Sequence, residues 1–242
     1  MKENEMIFGT RAVIEAVQGG KEIDKILIRR GEQPGELLEA LKGRDINVQR
    51  VPVERLDRLT RKNHQGVIAF IPAVAYQRLE DIIPWVYEQA KNPFILLLDG
   101  VTDVRNFGAI ARTCECAGVD AIVIPSRGSV TVNADAIKTS AGALHTLPVC
   151  REKSITQAIR FLQASGVKVI AASEKATTGY TSVACDVPVA IVMGAEDEGV
   201  SAGNLRICDH IVKIPQFGVI GSLNVSVASS ILIYEVVRQR TA

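Results

Sequence analysis

From Phe94 onward the chain repeats one arrangement, a short run that is apolar throughout or broken by a single lysine, followed by a longer amphipathic or small-residue segment. The runs are Phe94 to Leu98, Ala121 to Ile124, Val167 to Ala171, Val189 to Met193 and Ile211 to Ile214. A strand with no polar face has to be buried on both sides, and parallel sheets covered by helices are where such strands occur. The segments Ile110 to Ala117, Ile155 to Ala164 and Leu223 to Val237 supply helices for those two faces. The fold class read from this pattern is α/β, built on a parallel sheet.

The front of the chain has a different rhythm. Ala12 to Val17 and Gly35 to Leu41 read as short helices, and Lys25 to Ile28 and Val67 to Phe70 as strands, which makes a small separate α/β unit. The expected division is therefore a domain over residues 1–75, a linker over 76–92 and a second domain over 93–242. Within the linker, Pro84 and Pro93 bracket Trp85 and Tyr87. A docking helix over 79–91 is the alternative there.

Charge and cysteine usage exclude little. The formal charge of +1 over 242 residues advertises no polyanionic partner, and residues 1–75 carry a surplus of only two basic groups. Inside that segment, however, Arg55, Arg58, Arg61 and Lys62 stand just before Asn63-His64-Gln65-Gly66, a local basic cluster with hydrogen-bonding groups beside it. The five cysteines have no paired CxxC spacing, so neither a disulfide framework nor a metal site is expected. Lys2, Glu3, Glu5, Arg11 and Glu15 interrupt any signal-like run, and the apolar stretch from Ser222 to Val237 is shorter than the ~20 residues of a membrane span. A cytoplasmic protein with reduced thiols and no membrane partner is expected.

The first strand of the second domain is followed by Asp99-Gly100-Val101-Thr102-Asp103-Val104-Arg105-Asn106-Phe107-Gly108, which holds no GxGxxG and no P-loop. Any cofactor must be held differently. Asn106 reads as a helix N-cap. Arg112, among Gly108, Ala109 and Ala111, needs an anion, either a phosphate or an ion-pair partner within the fold. Gly194-Ala195-Glu196-Asp197-Glu198-Gly199 ends a strand in three acids between glycines. It reads as a solvated acidic turn or as a place where a planar group lies against main chain. In the last helix Glu235 is the only charge from Ser222 to Val236, so the helix has to be covered on nearly all sides and a subunit interface is expected. Ser222 suits its N-cap, while Asn224 in its first turn has no evident structural job.

Taken together, Asn106-Phe107-Gly108-Ala109-Ile110-Ala111-Arg112, Gly194 to Gly199 and Ser222-Leu223-Asn224-Val225-Ser226-Val227-Ala228 resemble the three signature motifs of the SpoU branch of the SPOUT methyltransferase superfamily. The resemblance covers the chain from about Phe94 to the end. It implies a deep trefoil knot, an exception to the rule against threaded chains, and S-adenosylmethionine gripped by backbone at Gly194, Ile214 and Leu223, with Ala172 and Ser173 as lesser contributors. It also implies Asn106, Arg112, Glu196, Ser222 and Asn224 as the polar residues of ribose 2′-O-methylation, no metal, and a homodimer through the terminal helix. Phe8-Gly9-Thr10-Arg11 and His64-Gln65-Gly66-Val67 resemble the ends of the ribosomal-protein-like RNA-binding domain found in many members. A guanosine of large-subunit ribosomal RNA is then the expected target. Transfer RNA and a catalytically inactive assembly factor are the competing readings, and a small-molecule or protein methyltransferase is disfavoured by the front domain.

Overall fold

The computed structural model describes residues 6–242; Lys2, Glu3 and Glu5, read above against an export signal, lie outside them. The chain forms two compact units, one of residues up to 75 together with 131–134, the other of 76–130 and 135–242.

The first unit contains β1 (Met6–Phe8), α1 (Thr10–Gln18), β2 (Lys25–Arg29), α2 (Gly35–Ala40), β3 (Asn47–Val51), α3 (Val53–Asp57) and β4 (Val67–Phe70). Its sheet runs β1-β4-β2-β3, with β4 antiparallel to both neighbours and β2 parallel to β3. Alternating residues of β2 and β4 divide between two cores. Ile26, Ile28, Val67 and Ala69 pack with Val13, Val17 and Leu37 of the helices. Leu27 and Ile68 pack with Val51 and Leu56 on the other face.

The second unit contains α4 (Leu79–Glu88), β5 (Phe94–Asp99), α5 (Val104–Cys116), β6 (Ala121–Pro125), α6 (Ala134–Thr139), β7 (Val149–Glu152), α7 (Ile155–Ala164), β8 (Lys168–Ala172), β9 (Thr178–Gly179), β10 (Val189–Gly194), α8 (Ala202–Leu205), β11 (His210–Lys213) and α9 (Val225–Thr241). Its seven strands lie in the order β7-β6-β5-β10-β8-β11-β9, and every pairing is parallel. The α/β class and the parallel sheet expected from the five apolar runs are what the chain adopts.

The segment expected as a linker is structured. Leu79, Ile82, Ile83 and Val86 recur at i, i+3, i+4 and i+7, and all four are buried in the core beside Ile95, Val123 and Ile159. Burying each contributes about 1.5–3 kcal/mol, which outweighs the roughly 3 kcal/mol that Pro84 costs inside a helix. The docking-helix alternative over 79–91 is the closer reading.

Two expected caps are corrected. α5 begins two residues before Asn106, because Asp103 Oδ1 accepts the backbone N–H groups of Arg105 and Asn106 at 2.8 and 2.9 Å. A carboxylate there also answers the positive end of the helix dipole. α9 is capped by Asn224 and not by Ser222, with Asn224 Oδ1 accepting Ser226 N–H at 2.9 Å. α9 is also open on one side. Val227 and Tyr234, seven residues apart, are 48% and 50% exposed on the single chain.

Candidate active site

β5 and β10 are the two central strands, paired in register from Val189 against Phe94 to Gly194 against Asp99, so their carboxyl ends present two loops side by side. The loop after β5 leads into α5 and carries Asn106. The loop after β10 carries Glu196 in a turn closed by Gly199 N–H donating to Ala195 O at 2.9 Å, with Gly199 at φ +68°. Gly194 cannot carry a side chain, because a Cβ would stand 1.9 Å from the carbonyl carbon of Gly199. Gly108 lets α5 approach α6 in the same way, since a Cβ there would lie 2.5 Å from Cβ of Thr139.

Three segments distant in sequence meet at one carboxylate. Glu196 Oε1 accepts Asn106 Nδ2 and Asn224 Nδ2, each at 2.7 Å, and Asn224 Nδ2 also donates to Asn106 Oδ1 at 3.1 Å. An ionised carboxylate only accepts, so both amides must turn their N–H groups toward Glu196, which fixes their orientation. Asn224 therefore has two jobs: its oxygen caps α9 and its nitrogen joins the cluster. Glu196 Oε2 accepts no hydrogen bond among the described residues, and both Glu196 and Asn224 are exposed on the single chain.

Next to this cluster is a cavity of about 320 Å³, within the roughly 300–1,000 Å³ of small-molecule sites. Gly194, Ile214, Leu223, Ala172 and Ser173, all expected at the cofactor, line it, together with Glu196 and Ser222. Gly199 and Gly221 also line it, so much of its wall is main chain that a flat ring could approach closely. Glu196, Asp197 and Glu198 place acid at its rim, which suits a cationic ligand. The donor set is right for a sulfonium that also carries an amino group and a purine.

Arg112 is the expected residue that the fold does not bring to this cluster. It is exposed, lies roughly 240° around α5 from Asn106, and makes no hydrogen bond or ion pair among the described residues. The apolar setting read from its neighbours belongs to Ile110 and Ala111, which point inward. Ser222 lines the cavity without bonding to the carboxamide cluster.

Sequence reasoning missed Asp99 and Asn204. Asp99 Oδ2 accepts Ser201 N–H at 2.9 Å and Asn204 Nδ2 at 2.8 Å, and Asn204 Oδ1 accepts the Thr156 hydroxyl at 2.7 Å. The available signal was an acid at the carboxyl end of the first strand, where open α/β sheets hold their ligands.

Residues 93–234 match the SpoU rRNA Methylase family. The chain belongs to that family. Residues 6–77 match a second family, RNA 2′-O ribose methyltransferase substrate binding, so both units of this SpoU-family chain are accounted for. A Staphylococcus aureus relative described as a TrmH-family tRNA/rRNA methyltransferase is 38% identical over 241 residues, covering 98% of this chain and 97% of the relative. Among the solved structures that the chain resembles are two at 27% identity. An RNA 2′-O ribose methyltransferase has a TM-score of 0.59 over 98% of this chain and 89% of that one. An AdoMet-bound rRNA methyltransferase of Sinorhizobium meliloti has a TM-score of 0.62 over 97% and 87%.

Proposed function

We infer that this protein methylates a ribose 2′-hydroxyl in RNA, using S-adenosylmethionine, and that its target is a guanosine of large-subunit ribosomal RNA. The observation that carries the reaction is the convergence of Asn106, Glu196 and Asn224 beside a cavity of matching size and chemistry. When bound, S-adenosylmethionine supplies an electrophilic methyl carbon. Gly194, Ile214 and Leu223 would hold it through backbone groups, and the acidic turn would face its positive charge. The chain's remaining task is to aim a hydroxyl oxygen and ease the loss of its proton. Glu196 locks the two carboxamides so that Asn106, Asn224 and Ser222 can hold the ribose and its phosphate. Arg112 is permanently charged, so its role is to bind the adjacent phosphate and lower the hydroxyl pKa electrostatically.

Arg112 reaches that phosphate across a homodimer in which each copy completes the other's site. Support comes from its guanidinium, which has no partner among the described residues, and from the exposed Val227 and Tyr234 of α9. Phe217, Val219 and Ile220, exposed in the segment that leads into α9, support it too. The reading includes the trefoil knot. β10 lies between β5 and β8 while α9 returns to α5, where Thr113 and Ser230 hydroxyls meet at 3.1 Å. It also includes a cytoplasmic site of action.

The ribosomal assignment is supported by the substrate-binding match over 6–77 and by Arg55, Arg58, Arg61 and Lys62 within it. The test is to incubate the protein with methyl-labelled S-adenosylmethionine and, separately, naked ribosomal RNA, large-subunit precursor particles and transfer RNA. Label confined to large-subunit RNA or its precursor is expected. Label only in transfer RNA moves the assignment there, and no label in any RNA favours an RNA-binding assembly factor.

A further inference from the structure

We propose that Asp99 is a positioning residue for the methyl transfer, holding the Ala195–Gly199 turn at both ends so that Glu196 meets the Asn106 and Asn224 amides. The proposal rests on the reaction inferred above. Upstream of the turn, Gly194 is paired with Asp99 through the β5–β10 ladder. Downstream, Ser201 N–H donates to Asp99 Oδ2 at 2.9 Å. One residue therefore grips the chain seven residues apart, and between those points the turn carries Glu196 on main chain whose internal tie among the described residues is the Ala195–Gly199 bond.

The grip is braced from behind. Asn204, 4% exposed, donates to the same Asp99 oxygen at 2.8 Å and accepts the Thr156 hydroxyl at 2.7 Å from α7. Its main-chain oxygen also accepts Cys208 N–H at 3.3 Å. Asn204 is thus held by α7 and by the turn that follows its own helix α8, and Asp99 transmits that fixed position to the turn at 195–199. Both bonds use a single acceptor oxygen, so an asparagine at 99 can accept both, whereas a leucine of similar size can accept neither. Loss of that grip frees the segment from 195 to 201 and lets the Glu196 carboxylate leave its partners. A displacement of about 1 Å at a reacting geometry costs on the order of 10²-fold in rate.

The test compares Asp99→Leu, Asp99→Asn and Glu196→Ala with the doubly substituted Asp99→Leu/Glu196→Ala in the full-length protein. Two readouts are used, kcat for methyl transfer to ribosomal RNA and NMR of the protein alone. Asp99→Leu is expected to lower kcat about 10²-fold, with KM for S-adenosylmethionine changed only a few-fold, and Asp99→Asn to restore most of it. On the Glu196→Ala background, where the acceptor is gone, Asp99→Leu should cost little more of the residual rate, because the two act through one contact. In the NMR arm Asp99→Leu should shift the Asn106 and Asn224 side-chain amide resonances and speed hydrogen exchange at Gly199 and Ser201, and Asp99→Asn should reverse both. Additive losses in the double variant, or unshifted amide resonances in Asp99→Leu, would overturn the proposal. A wild-type protein inactive on every RNA would instead refute the inferred reaction, and the amide resonances would still decide whether Asp99 holds the turn.

Discussion

Replacing Gly194 by alanine should damage fold and chemistry together, by an amount that follows from the geometry. Gly194 is not in a left-handed conformation, so the added methyl is unwelcome for steric reasons alone. It would stand 1.9 Å from the Gly199 carbonyl carbon, 2.0 Å from Val200 N and 2.2 Å from Gly199 O, all main-chain atoms that no rotamer change can clear. Carbon atoms rest about 3.5–4.0 Å apart, so the turn must retreat by roughly 1.6–2.1 Å. Overpacking of this kind costs about 1–3 kcal/mol. At about 2–4 °C per kcal/mol for a chain of this size, the melting temperature should fall by about 2–12 °C. Because Glu196 rides on the same turn, kcat should fall by at least about 10²-fold. Calorimetry and methyl transfer to ribosomal RNA measure the two effects. Gly203→Ala is the control: Gly203 lies in α8 with open space at its Cβ position, so it should keep wild-type turnover and melt no lower. A Gly194→Ala protein with unchanged melting temperature and turnover would refute the reasoning.

Other perturbations separate the remaining roles. Arg112→Ala should abolish methyl transfer while S-adenosylmethionine binding by calorimetry stays within a few-fold, since Arg112 does not line the cavity; near-normal turnover would remove it from the mechanism. Tyr234→Asp puts a charge into the open stripe of α9, so light scattering should find a dimer for wild type and a monomer for the variant, and a monomeric wild type would contradict the trans arrangement. Glu235, 7% exposed, is held below the usual carboxylate range first by hydrogen bonds from Arg238, at 2.7 and 2.8 Å, and then by Gln239. Its stabilisation is complete above the unfolded value of about 4.3 and is lost as pH falls through the lower folded value. Glu235→Gln should therefore flatten the acid limb of melting temperature against pH, and an unaltered limb would deny the pair that role.

How much of this was legible in the sequence depended on burial. The three unbroken apolar runs became β5, β6 and β10 because strands covered on both faces leave no polar interruption, and the two interrupted by Lys168 and Lys213 became β8 and β11, where those lysines are only partly buried. β3 and β7 escaped notice for the opposite reason: each lies at the edge of its sheet, and Asn47–Val51 alternates partly buried with exposed residues. α4 was obscured by Pro84, although the spacing of Leu79, Ile82, Ile83 and Val86 carried the stronger signal. At the site, the three motifs named Asn106, Glu196 and Asn224, and the fold joins them at one carboxylate. The caps were misplaced by two or three residues, since Asp103 and Asn224 compete with equally plausible neighbours for the free N–H groups. Asp99 and Asn204 could not be read from spacing, because their contact bridges 105 residues and has no local period.

The most direct test of the central claim is the chemical position of the methyl group. Alkaline cleavage of RNA needs a free 2′-hydroxyl, so ribosomal RNA labelled by the wild-type protein and then digested in alkali should carry its label in resistant dinucleotides. RNA treated with Glu196→Ala protein should carry almost none. Label recovered in mononucleotides would place the methyl on a base and contradict the account.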